Sequence, residues 1–118
     1  MKFDLDDLVA RLPGPPDARW PEGRRFEVAL DRHGLVFELY APRGHDPQQP
    51  HARDELYVVA RGQARFVRGA ALEASACEVG TGDALFVPAG EPHRFEDFSD
   101  DFAAWVVFFG PEHPGPGR

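Results

Sequence analysis

The chain has 118 residues, 42% of them hydrophobic and 28% charged, which suffices for one domain with a single core. Its formal net charge of −7 argues against nucleic acid and anionic membranes as partners, since both need basic patches. No apolar run approaches the ~20 residues of a membrane span, and the lone Cys77 has no partner for an internal disulfide.

The N-terminal stretch is acidic and lacks the apolar core of a signal peptide, so a cytoplasmic location is expected. Leu5, Leu8, Val9 and Leu12 recur at helical spacing behind Asp4, Asp6 and Asp7, whose charges suit a helix N-terminus. Pro13 ends that helix, and the prolines that follow make an extended connector. Residues 1–23 therefore read as an N-terminal helix and Pro-rich arm, with Trp20 stapling the arm to the body. From residue 24 the period changes to two. Phe26, Val28 and Leu30 alternate with Glu27, Ala29 and Asp31, then Leu35, Phe37 and Leu39 alternate with Val36, Glu38 and Tyr40 beyond the turn Asp31-Arg-His-Gly34. This is a hairpin, with His33 in a solvated turn. Residues 41–50 are irregular, being rich in proline; they carry His45 and Asp46.

The stretch from Gln49 to Gly62 begins as loop and becomes a strand at Tyr57, Val58 and Val59. Ala64–Arg68 and Leu72–Val79 pair around Gly69-Ala70-Ala71, with Cys77 expected as a buried or half-buried inert thiol. Leu85-Phe86-Val87 is a short apolar strand, Pro88 and Gly90 turn the chain, and His93 follows the turn. Glu96–Asp101 reads as a solvated acidic loop. Ala103–Phe109 is apolar on both faces and should be covered on both. Residues 24–110 thus make an all-β barrel or sandwich of seven or eight strands, and 111–118, with His113, a loose tail.

Two of these stretches can carry chemistry. On a straight strand His51 and Glu55 would stand about 13 Å apart, whereas donors sharing one metal lie about 3 Å apart. His51 must therefore belong to the incoming loop and fold back toward Glu55 at the strand start. Tyr57 shares the face of Glu55. A helix would also bring residues 51 and 55 together, but the β-prone run Leu56–Gly62 cannot sustain one. His51, Glu55 and His93 are candidate metal ligands. The plainer alternatives are two polar residues of a surface loop and a structural histidine.

Residue by residue, the two stretches resemble the two motifs of the cupin superfamily, in particular its small single-domain members. The first motif runs Gly, five residues, His-x-His, three or four residues, Glu, six residues, Gly. Here Gln49-x-His51, Glu55 and Gly62 match it, with Gln49 in place of the first histidine and Gly44 one residue too near. The second runs Gly, five residues, Pro-x-Gly, two residues, His, three residues, Asn. Gly82, Pro88, Gly90 and His93 match it in register, with Asp97 at the Asn position.

The resemblance implies a double-stranded β-helix, or jelly-roll, barrel, often dimeric. It also implies one divalent transition metal (Fe, Mn, Ni or Zn) held by His51, Glu55 and His93, with Gln49 either a feeble fourth ligand or leaving that position open to water. Phe95 and Trp105 are expected to line the pocket beside Tyr57. A homodimer is expected, because strand edges need cover and the arm is apolar. Fold does not name the reaction. Two readings stand: a metal-dependent enzyme on a small oxygen-bearing organic molecule with Tyr57 as acid or base, and a non-catalytic metal-containing domain that binds or senses a small molecule.

Overall fold

Alternating apolar residues and glycine-marked turns produce eight strands among the residues described, which in this computed structural model are 1–70 and 72–112. The expected tail beyond Glu112, with His113, lies outside the described residues. A short helix α1 (Leu5–Ala10) precedes β1 (Phe26–Arg32), β2 (Leu35–Tyr40), β3 (Asp54–Arg61) and β4 (Gln63–Arg68). Then come β5 (Ser75–Gly80), β6 (Ala84–Val87), β7 (His93–Glu96) and β8 (Ala103–Phe109). The β1–β2 connection is the two-residue turn His33-Gly34, both at positive φ (53° and 81°), as the twist of a tight hairpin demands. Between β3 and β4 the chain reverses at Gly62 (φ 79°), where a Cβ would collide with Ser99 and Asp101.

The strands form two antiparallel sheets, β1-β2-β8-β3-β6 and β5-β4-β7. Between them lie Tyr57, Val59, Phe66, Phe95, Phe102 and Val106, all essentially inaccessible to solvent. Among the described residues no ladder joins the two sheets, so the expected closed barrel is a two-sheet sandwich. A physical reason is at hand. β6 and β7 are four residues each, and the prolines at 88 and 92 withhold the backbone N–H groups that longer ladders would use.

Register decides what faces inward. Glu38 pairs with Val106, Val106 with Tyr57, and Tyr57 with Leu85, so these four share the inner face; Glu55 lies on it too, opposite Phe108 and Val87. Leu39, Phe37 and Trp105 are on the other side. There α1 covers them: Leu8 packs with Leu39, Ala41 and Ala103, and Phe3 meets Phe37 edge-on at 5.1 Å. The first half of β8 is thus covered on both faces. In the arm, Asp17 accepts the backbone N–H groups of Arg19 and Trp20 and pairs with Arg24, fixing Trp20 against Tyr40.

Two expectations about β5 are corrected. Leu72 is fully exposed in the turn rather than in a strand, and Cys77 is exposed rather than buried. β5 is the outer strand of the smaller sheet, and from Ser75 to Glu78 nothing among the described residues covers either of its faces.

Candidate metal centre

β3 begins at Asp54, which leaves His51 in the preceding loop. Two hydrogen bonds tie that loop to the Pro88–Gly90 turn: Gly90 N–H donates to the His51 carbonyl (2.8 Å), and Ala89 N–H donates to Asp54 Oδ1 (2.9 Å). With Glu55 paired to Val87, the two ligand-bearing stretches are held side by side. One donor atom from each of His51, Glu55 and His93 lies within 4.8 Å of the others. His93 Nε2 is 3.1 Å from Glu55 Oε1, and His51 Nε2 is 3.9 Å from Glu55 Oε2.

Glu55 is 1% exposed, and no hydrogen bond of acceptable geometry reaches either of its oxygens. A buried carboxylate left this way is costly unless a positive charge completes it. The residues therefore fit a divalent cation. The His93 ring is already aimed: its Nδ1 lies 3.0 Å from the Glu91 carbonyl, which can only accept, so Nδ1 carries the proton and Nε2 faces the cluster. Burial pushes His51 below the ordinary histidine range, although the Glu55 carboxylate pulls the other way. For His93 burial again disfavours the charged ring, but the neighbouring Glu55 outweighs it and holds His93 above that range.

Tyr57, wholly buried, brings its hydroxyl 3.0 Å from His93 Nε2 and donates to Gln48 Oε1 at 2.9 Å. Burial, then the charge of Glu55, raises its phenol well above the usual value. The glutamine at the cluster is Gln48. Gln49, which the motif register designates, does not line the cavity. The reason is local: Pro47 and Pro50 bracket a segment with no strand, so the alternation that would align residues 49 and 51 does not operate. Phe95 shares the His93 face as expected, but it is buried beneath the site among Tyr57, Phe66 and Phe102 and does not line the cavity. Trp105 points away from the cavity and stacks on Phe37 at 5.2 Å, because the inner face of β8 belongs to Val106 and Phe108.

A cavity of about 240 Å³ opens over His51 and Glu55, with Trp20, Phe26, Glu38, Tyr40, Val106 and Phe108 among its walls; His93 does not line it. Arg19 also reaches it. Glu38 and Gln48 were not foreseen as site residues, and Asp46, which the sequence left open to lining a site or facing water, supports the site. Glu38 is the acid of β2's inner row, a row hidden in the sequence because Phe37 and Leu39 on the other side look equally like a core face. Burial, and then Glu55, pushes its carboxyl up to about 8. Gln48 had no signal beyond its proximity to His51. Asp46 accepts from Phe95 N–H (2.8 Å), Gln48 N–H (3.2 Å), Gln48 Nε2 (2.6 Å) and the Tyr40 hydroxyl.

Known proteins resemble this chain to different degrees. The family described as "Cupin domain" matches residues 36–109. An uncharacterised protein of Streptomyces coelicolor is 40% identical over 112 residues, covering 93% of this chain and 96% of that one. Among solved structures, the DMSP lyase DddQ of Ruegeria pomeroyi is 26% identical with a TM-score of 0.57, over 70% of this chain; the match spans 41% of the lyase. A cupin-2 domain protein of Shewanella frigidimarina is similar in fold, with a TM-score of 0.65 at 16% identity over 92% of this chain and 94% of its own.

Proposed function

The chain belongs to the cupin domain family, and on that premise we propose that it is a metal-dependent enzyme acting on a small oxygen-bearing organic molecule. The observation that carries this reading is the pair of buried Glu55 oxygens, without a hydrogen bond of acceptable geometry, set between two histidines. His51, Glu55 and His93 would hold one divalent ion, Fe, Mn, Ni or Zn, which when bound polarises a carbonyl or activates water or dioxygen. Three protein ligands at the head of an open cavity leave room for a ligand, unlike the closed shells of structural sites.

The chain's own residues do the rest. The Glu91 carbonyl fixes the His93 tautomer. Trp20, Phe26, Val106 and Phe108 supply apolar walls that exclude water. Tyr57 carries a proton beside the donors and serves as acid or base. A cavity of this size suits a small metabolite. The likeness to a lyase supports catalysis. The same reading includes a cytoplasmic homodimer whose partner is a small molecule rather than nucleic acid.

A specific observation favours the second reading, a non-catalytic binding or sensing domain. The Tyr57 hydroxyl is already engaged by Gln48 and His93, as a purely structural tyrosine would be. Metal analysis and turnover separate the two. Wild type should carry one divalent ion per chain, and His51→Ala and His93→Ala should lose most of it; full occupancy in both variants overturns the metal assignment. Metal-loaded protein is then screened against small hydroxy and keto acids in air. Turnover that falls about 10²-fold in Tyr57→Phe, with metal retained, supports the enzyme. A metabolite bound tightly and recovered unchanged supports the binding domain.

A further inference from the structure

We propose that Gln48 supplies a fourth protein donor to this metal centre through its amide Oε1. The inference rests on the metal reading above and adds a ligand that the motif register does not designate.

Three observations carry it. First, spacing: donors that share an ion stand about 3 Å apart, and Gln48 Oε1 lies 3.2 Å from His51 Nε2. That separation belongs with the 3.1 Å between His93 Nε2 and Glu55 Oε1. Second, orientation: the amide nitrogen donates to Asp46 Oδ2 at 2.6 Å. Turning the amide over would set its oxygen against the Asp46 carboxylate. Asp46 is itself fixed from both sheets, by Tyr40 on β2 and the Phe95 N–H on β7. Third, charge: Gln48 Oε1 and Glu55 Oε2 are acceptors that both face His51 Nε2, at 3.2 and 3.9 Å. No hydrogen bond of acceptable geometry reaches either carboxylate oxygen, although His93 Nε2 stands 3.1 Å from Oε1. A cation satisfies all three at once. The resulting set is two imidazoles, one carboxylate and one neutral amide oxygen, whose oxygen half suits harder ions such as Mn(II).

The test uses Mn²⁺ as the probe. Its affinity is measured by the EPR signal of the free ion in wild type, Gln48→Ala and Gln49→Ala, and Mn²⁺-loaded wild type is crystallised. Gln48→Ala should weaken binding about tenfold or more, while Gln49→Ala should leave it unchanged. The crystal structure should show Oε1 about 2.2 Å from the ion, a metal–oxygen bond length. Equal effects of the two variants overturn the inference. A water between Oε1 and an ion held by His51 and His93 overturns it too, and leaves the triad standing. Wild type that takes up no Mn²⁺, Fe²⁺, Ni²⁺ or Zn²⁺ removes the metal reading and this inference together.

Discussion

Glu38 faces the cavity from β2, and among the described residues nothing hydrogen-bonds its carboxyl. The groups that share its surroundings are Arg19 from the arm, Tyr40 on its own strand, His51 and Asp46 from the loops, and Glu55 and Tyr57 on β3. With a folded value near 8 against an ordinary 4.5, the folded chain keeps a proton that the unfolded chain has released across that interval. Stability from this group is therefore fully present below pH 4.5 and is lost as pH rises through about 8. In metal-free protein the thermal midpoint of wild type should fall relative to Glu38→Gln over this window. Parallel curves for the two would show that Glu38 is ionised throughout.

Whole elements show which parts of the fold were legible and which were not. The β1–β2 hairpin could be read because its alternation ends on a His-Gly pair able to take positive φ. The loop position of His51 followed from arithmetic, since no strand can bring residues 51 and 55 onto one ion. Trp105 could not be placed. On β8 both faces are apolar, and a pattern without contrast carries no information on direction. Gln48 was hidden for a different reason, because outside a strand the side-chain direction is set by particular contacts, here those of Asp46. The burial of Leu39 and Trp105 on the outer side depends on α1, which adds the ion pairs Arg61–Asp6 and Arg11–Glu27. Deleting residues 1–20 should thus uncover Phe37, Leu39 and Trp105 and lower the urea midpoint. An unchanged midpoint would mean that the arm contributes nothing to the body.

For the molecule as a whole, the outer face of the larger sheet remains apolar beyond the reach of α1. Leu56, Val58 and Phe86 are 37%, 36% and 48% exposed there, on the adjacent strands β3 and β6, with Val107 beside them on β8. An uncharged strip on a chain of net charge −7 would suit a second copy, which could approach without burying carboxylates. Light scattering should give a dimer for wild type and a monomer for Phe86→Glu; a monomeric wild type counts against it. No helix of the described residues is long and apolar enough to cross a membrane.

The bond from Gly90 N–H to the His51 carbonyl joins segments that are remote in sequence and closes the gap between the two sets of donors. Contacts of such long range pay their loop-closure entropy before they return anything. The complete donor set therefore exists only after the chain has essentially folded, and a metal ion that needs the whole set would favour the native state over the denatured one. By mass action, free ion at a hundredfold its dissociation constant would deepen the native basin by about 2.7 kcal/mol. In a cell short of that metal, the same chain would be more readily degraded, so its abundance would follow metal supply.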